Sequence, residues 1–253
     1  ARGDEIGDLS GALKDMTEAL WLRMDAIESF AADVAHEIKN PLTSLRSAVE
    51  TAARVKDPEQ QKRLMSIIMA DVKRLDRLIS DISDASRLDA ELSRAESEPV
   101  DIGRILETLV DVHQSSTENG GQRMVLHLHS NRLMVSGMEG RIVQVLRNLI
   151  GNAISFSPPD GVIELSARME GSEIVILIED DGPGIPENKL TGIFDRFYSD
   201  RPEGEDFGNH SGLGLSISRQ IVEAHGGRIY AENRRNEEGA TSGARFVVRL
   251  PAI

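Results

Sequence analysis

Apolar residues at the start of the chain fall on a helical repeat. They stand at Ile6, Leu9, Leu13, Met16, Leu20, Met24, Ile27, Ala31, Val34 and Ile38. The steps alternate between three and four, the spacing of a coiled-coil seam. Two steps of four adjoin at Met16, Leu20 and Met24, a stutter that locally unwinds a supercoil. It is either an ordinary irregularity of a long helix or a joint between an input segment and a catalytic helix. The pattern resumes beyond Pro41 at Leu42, Leu45, Val49 and Ala52, so one kinked helix is expected rather than two. Lys56-Asp57-Pro58 reads as a turn and a helix start, with Asp57 as N-cap and Pro58 at the first helical position. A second amphipathic helix follows, with Leu64, Ile67, Ile68, Val72, Leu75, Leu78, Ile79, Ile82 and Leu88 as its apolar positions. A lone helical hairpin leaves one apolar side uncovered. Two of them paired as a four-helix bundle bury it, so a homodimer is expected.

Residues 93–99 are polar and acidic and read as a linker. Beyond them the period changes repeatedly. Residues 102–112 are expected to be helical, and 123–129 alternate like a strand. Residues 139–154 form a helix that puts Ile142, Val145, Leu146, Leu149 and Ile150 on one face. Residues 162–169 and 173–179 pattern as a β-hairpin around Glu170-Gly171, and residues 213–225 as a helix that Gly226-Gly227 ends. Residues 228–232 and 244–250 close the sheet. The sum is an α/β sandwich with one layer of each. Composition narrows the class. The 253 residues suffice for one large or two modest domains, and 40 % hydrophobic with 28 % charged content is ordinary for a globular chain. A net charge of -13 argues against a nucleic-acid surface. The absence of cysteine removes a disulfide framework and a cysteine metal site. No apolar run approaches the ~18–20 residues that cross a bilayer and no signal peptide opens the chain, so a soluble, cytoplasmic fragment is expected.

Candidate chemistry lies in three places. His36, on the first helix beside Glu37, can act as a nucleophile, because much of an imidazole is uncharged at neutral pH. Glu37 is a neighbour in sequence rather than on the same helix face. It could still take the proton of one ring nitrogen and sharpen the other. Asn148 and Asn152 are spaced i, i+4 and share a helix face. Either they are exposed amides at a helix end, or their oxygens serve a hard cation such as Mg²⁺ between phosphates. Asp180, Gly182 and Gly184 follow the apolar run Ile174, Val175, Ile176, Leu177 and Ile178. A carboxylate at such a strand end can accept from an adenine amino group, and glycines let backbone approach the base. Gly212-Leu213-Gly214-Leu215 opens a helix whose N-terminus favours phosphate. Residues 198–211, rich in Gly, Asp and Glu, suit a mobile lid. Together these segments read as ATP bound in one domain and its phosphate delivered to a histidine in another. His127 and His129 share a strand face as a metal pair or a solvated pair, with no third ligand apparent. His225 suits a helix C-terminus. His113 and His210 show no partner in the sequence.

Five motifs in order carry a resemblance. They are His36-Glu37-Ile38-Lys39-Asn40-Pro41-Leu42, Asn148-Leu149-Ile150-Gly151-Asn152-Ala153, Asp180-Asp181-Gly182-Pro183-Gly184-Ile185-Pro186, Ile193-Phe194-Asp195-Arg196-Phe197-Tyr198 and Gly212-Leu213-Gly214-Leu215. They resemble the H, N, G1, F and G2 boxes of bacterial two-component sensor histidine kinases, most of all the ChvG/ExoS type. The match runs from about Ala26 to the end of the chain. Asp4-Glu5-Ile6-Gly7-Asp8-Leu9 resembles the second half of a HAMP linker. The resemblance implies a HAMP-like helix over 1–24, a dimerisation and phosphotransfer hairpin over 25–93, and a GHKL-type ATP-binding domain over 94–253. It makes His36 the phosphoacceptor and Glu37 its assistant. Asn40 becomes the residue that orients water for dephosphorylating a partner response regulator. Asn148 and Asn152 would serve Mg²⁺ and phosphates, and Asp180 would hold adenine beside Gly182 and Gly184. Phe197, Gly212, Leu213 and Gly214 complete the ATP-binding set. Ser155 and Ser199 stand where relatives often carry a basic residue, with Arg201 as a substitute for the second. The full-length protein is expected to be anchored in the bacterial inner membrane. Two rivals remain. An ATP hydrolase of the gyrase type would carry a glutamate base at position 148, and a degenerate kinase would only dimerise and hold a regulator.

Overall fold

The computed structural model describes residues 2–92, 97–115, 121–198, 211–236 and 238–253. They divide into two compact units, the first ending at Ile79 and the second beginning at Ser80. No helix among the described residues is long and apolar enough to cross a membrane.

The first unit is helical. Helix α1 (Arg2–Ala52) runs as one element, and Pro41 lies inside it without ending it. A proline lacks the N–H that would reach back one turn. Two residues on, the Thr43 hydroxyl donates to the Lys39 carbonyl at 2.8 Å. Helix α2 (Pro58–Leu92) starts where the turn chemistry places it, with the Glu59 N–H donating to the Asp57 carboxylate at 3.2 Å. Pro41 and Ala48 of α1 and Leu78 of α2 are buried. Much of the remaining apolar pattern is open. Leu42, Val49, Ile67, Val72 and Ile79 are exposed, as are Leu9, Leu13, Met16, Leu20, Met24 and Ile27 farther up α1.

The second unit is a sheet covered on one face by helices. Its five strands run in the order β2 (Arg123–Leu128), β4 (Val162–Glu170), β5 (Glu173–Glu179), β7 (Thr241–Pro251), β6 (Arg228–Arg235). Strand β2 pairs parallel with β4 and every other pairing is antiparallel. The hairpin expected around Glu170-Gly171 is the β4–β5 pair. Helices α3 (Ile102–Ser115), α4 (Glu139–Phe156) and α5 (Gly214–Ala224) pack on the sheet. Alternation explains the core. Ile163, Leu165 and Ala167 of β4 and Ile174, Ile176 and Ile178 of β5 are fully buried, as is Leu149 of α4. Glu164 and Ser166 separate the buried residues of β4, whereas Val175 and Leu177 keep β5 apolar on both faces, and the opposite face carries cross-strand ion pairs: Arg249 with Glu170 and Glu173, and Arg245 with Glu179. Beside Arg168, the Glu170 carboxyl sits below the usual carboxylate range.

One expectation needs correcting. The stretch read as a linker contains the start of strand β1 (Glu98–Asp101), which pairs antiparallel with β3 (Met134–Gly137) in a separate two-stranded sheet. Only Val100 of β1 is buried, against Val135, so a strand this short carries no alternation to read. Helix ends are pinned by side chains. Gln122 donates to the Ile154 and Ser157 carbonyls at the end of α4. At the other end, His225 accepts the Met138 N–H on Nε2 at 3.0 Å, while its Nδ1 lies 2.7 Å from the Ile221 carbonyl. The ring thus ties the end of α5 to the start of α4.

Candidate functional site

The second unit holds a cavity of about 660 Å³. Helix α4 lends it Asn152 and Phe156. The loop after β5 lends Asp180 and residues 183–187. Ile193 and Tyr198 follow, then Gly212, Gly214 and Leu215 at the start of α5. Asn233 of β6 and Thr241, Ala244 and Phe246 of β7 complete the lining. Phe156, Ile185, Ile193 and Phe246 make much of the wall apolar. Phe246 is held edge-on against Phe194, with ring centroids 6.5 Å apart.

Asp180 is the polar anchor of that cavity, only 2 % exposed. Its Oδ1 accepts the N–H groups of Gly182 at 2.9 Å and Ala244 at 3.1 Å. Its own N–H donates to the Ala244 carbonyl at 3.0 Å. Among the described residues no donor reaches Oδ2. The neighbouring backbone is packed so closely that side chains are excluded. A Cβ on Gly243, where φ is +148°, would lie 1.8 Å from the Asp180 carbonyl oxygen. Burial pushes the Asp180 carboxyl up, opposed by the Ala244 and Gly182 N–H groups and the positive Arg234.

The start of α5 brings phosphate-type chemistry to the same cavity. Gly212, Gly214 and Leu215 line it, so first-turn N–H groups of α5 that find no intrahelical acceptor border the space. Asn152 lines it too, and its amide has no protein partner among the described residues. Asn148, one turn earlier, is half-buried and stands behind the lining. Its Nδ2 donates to the Gly214 carbonyl at 3.1 Å and lies 3.4 Å from the Ser218 hydroxyl. Leu213 is buried, and Phe197 does not line the cavity. The Phe197 N–H instead donates to the Gly212 carbonyl at 2.9 Å, with Phe197 in a left-handed conformation at φ 58°.

His36, Glu37 and Asn40 lie on α1 in the first unit. His36 and Asn40 are exposed and share a helix face. The Glu37 carboxylate is half-buried and paired with Arg74 of α2 at 3.0 Å. No hydrogen bond joins it to His36. His127 and His129 stack on an exposed strand face, with centroids 6.2 Å apart. Ser199, Arg201, His210 and nearly all of the expected lid lie outside the described residues. The sequence reading missed Asn233, Arg234 and Gly243, because their partners lie on other elements and only the folded sheet brings them together.

The raised value of Asp180 has a signed consequence. A carboxyl whose folded pKa lies above its unfolded value favours folding below that unfolded value, about 3.9, and the contribution is lost as pH rises through the folded value. Ionised Asp180 therefore costs stability at neutral pH. In Asp180→Asn an amide oxygen can still accept both N–H groups. The variant's Tm should equal or exceed that of the parent at pH 7, and the gap should narrow toward about pH 4. A lower Tm at pH 7 in thermal scans would show that the charge stabilises this loop.

Residues 26–91 match the family model described as His Kinase A (phospho-acceptor) domain, and residues 137–253 match Histidine kinase-, DNA gyrase B-, and HSP90-like ATPase. The sensor protein ChvG of Rhizobium meliloti (strain 1021) is 54 % identical over 261 residues, covering 100 % of this chain and 45 % of that protein. ChvG of Agrobacterium fabrum (strain C58) is 52 % identical, with 100 % and 44 % covered. The chain thus spans less than half the length of these curated relatives. The crystal structure of histidine kinase ThkA in complex with response regulator protein TrrA superposes with a TM-score of 0.70 at 26 % identity, covering 91 % of this chain and 63 % of that one. With both domain types present in one chain and half its residues shared with ChvG over its whole length, the protein belongs to the sensor histidine kinases, in their ChvG/ExoS type.

Proposed function

We propose that this chain binds Mg²⁺–ATP in the cavity of the second unit, phosphorylates His36, and passes the phosphoryl group to an aspartate of a response regulator receiver domain. The observation that carries the reading is one cavity lined both by a buried carboxylate with a free oxygen and by the N-terminus of α5. The free Asp180 oxygen suits the adenine amino group, and the apolar walls suit the ring. The first-turn N–H groups of α5 suit the phosphates. Asn152 fits a hard cation, since it lines the cavity and its amide has no protein partner among the described residues. Mg²⁺, when bound, would neutralise phosphate charge. Asn148, one turn earlier on α4, has an oxygen that no donor among the described residues reaches and is proposed in the same role.

In the transfer an imidazole nitrogen of His36 forms a P–N bond as the bond from the γ-phosphorus to its bridging oxygen breaks, and ADP leaves. The ring proton is released, with Glu37 as its proposed acceptor. That role requires the carboxylate to leave Arg74, which holds it in this structure. The exposed apolar stripes of both helices suit a second copy of the chain, giving a homodimer with a four-helix bundle. The HAMP-like opening, together with relatives more than twice the length of this chain, supports a membrane-anchored full-length protein with 1–24 as linker helix, 25–93 as phosphotransfer hairpin and 94–253 as catalytic domain. Asn40, one turn from His36, is proposed to place the water that attacks the phosphorylated regulator.

Three outcomes test these roles. His36→Gln should abolish acid-labile ³²P incorporation from labelled ATP while ATP affinity changes by less than about twofold, because the acceptor contributes nothing to ground-state nucleotide binding. A large loss of affinity would overturn the division of labour. Asn152→Ala should weaken nucleotide binding by about tenfold in Mg²⁺, roughly 1.4 kcal/mol, and far less in EDTA. Equal losses in the two buffers would make Asn152 a structural residue. Asn40→Ala should remove regulator dephosphorylation and leave autophosphorylation, since alanine is the better helix former. Proportional loss of both activities, assayed on one preparation, would mean that Asn40 only supports the helix.

A further inference from the structure

Three consecutive residues at the end of β6 grip the loop that follows β5. Asn233 makes a reciprocal pair with Ile185: its Oδ1 accepts the Ile185 N–H at 2.7 Å and its Nδ2 donates to the Ile185 carbonyl at 2.6 Å. The Arg234 guanidinium donates to the Asp180 carbonyl and to the Asp181 carboxylate, both at 2.9 Å. Arg235 pairs with Glu187 at 2.7 Å. The first two contacts are part-buried, while Arg235 and Glu187 are both exposed, so the last contact is worth little.

The Asn233 pair differs in kind from the ion pairs. It satisfies a backbone donor and acceptor of the same residue, as a strand partner would, in a loop that has no strand partner. It also sits tight against Gly184, where φ is +78° and a Cβ would lie 2.8 Å from the Asn233 oxygen. Both ends of the amide are used on the loop, yet Asn233 lines the cavity. One N–H and one oxygen lone pair are spent on Ile185, which fixes the orientation of the face that the amide presents to the space.

We propose that Asn233 is a positioning residue of the nucleotide site. It works as a surrogate strand partner that holds residues 184–186 as the wall beside Asp180, and so fixes the gap into which the adenine ring slides. The inference rests on the reading that this cavity binds ATP. Loss of the pair frees two backbone groups of Ile185 and lets the wall move, so ordering the wall becomes part of the cost of binding. Arg234 and Ala244 still hold Asp180 itself, so the chemistry at His36 is left intact once ATP is bound.

The test is steady-state autophosphorylation with ATP, together with direct ATP titration by calorimetry, on the parent chain, Asn233→Ala and Asn233→Asp. For Asn233→Ala the KM and the dissociation constant for ATP should both rise about tenfold while kcat stays within about twofold, the pattern of lost binding that the ground and transition states share. Asn233→Asp keeps the acceptor for the Ile185 N–H and loses the donor, so its KM should also rise, and it serves the test if the alanine variant does not fold. Unchanged ATP affinity in both variants overturns the proposal. A fall in kcat at unchanged KM also overturns it, because that is the mark of a smaller folded fraction. A parent chain that binds no ATP sinks the nucleotide reading, and this inference with it, and so is told apart from failure of the inference alone.

Discussion

The second unit is organised around the way Asp180 is bound into the end of its sheet. A carboxylate removed from water is costly unless hydrogen bonds replace the lost solvation. Here two backbone N–H groups, from Gly182 and Ala244, converge on one oxygen. The first comes from the carboxylate's own loop and the second from the neighbouring strand, so the side chain staples the β5 loop to β7. The staple closes only if β7 approaches within contact of the Asp180 backbone, which position 243 allows because it carries no side chain. Everything else at the site follows from that approach. The second oxygen is left without a donor among the described residues, and Ala244 and Phe246 are drawn into the cavity wall.

The first unit shows the opposite economy. Its two helices bury Pro41, Ala48 and Leu78 and leave a run of large apolar residues in the open on both. An ion pair joins the two helices, Arg74 of α2 with Glu37 of α1. Apolar burial at roughly 25 cal/mol per Å² is the main favourable term in folding, so helices this exposed draw little stability from one another. The regular spacing of those side chains, three and four apart, is that of a surface made to be covered along its length.

Long elements and their caps were legible from the sequence because they repeat a pattern many times. The α1 seam, the Asp57-Pro58 start of α2 and the β4–β5 hairpin are of this kind. Strand β1 was hidden because its four residues bury one side chain, and Pro99 within it weighs against a strand. At the site, Asp180, Gly184, Asn152 and Gly214 were legible as motifs and do line one cavity. Phe197 and Leu213 belong to the same motifs but act behind the wall, through a backbone bond to Gly212 and through burial. Asn233 and Arg234 could not be read at all. They sit 48 and more residues from the loop they hold, and an Asn-Arg-Arg run near a strand end looks like a solvated edge. What brings them to the loop is strand order, which places β6 beside β7 and its end within reach of the loop after β5.

In the function proposed, the amide at 148 stands where a hydrolase would need a carboxylate base, and the structure gives it a second constraint. Its amide nitrogen donates to the Gly214 carbonyl, in the first turn of the helix whose N-terminus borders the cavity. The same carbonyl already accepts from the Ser218 hydroxyl at 2.7 Å. A carboxylate at this position has no proton to give when ionised. It would set a negative oxygen against a carbonyl oxygen and loosen α5 where its N–H groups are needed. An amide meets the need for a donor and cannot act as a base on water. The joint between α4 and α5 and, in the function proposed, the sparing of phosphate for an imidazole are thus served by the same amide. A hydrolase built on this frame would need a carboxylate at 148 and a different donor for Gly214.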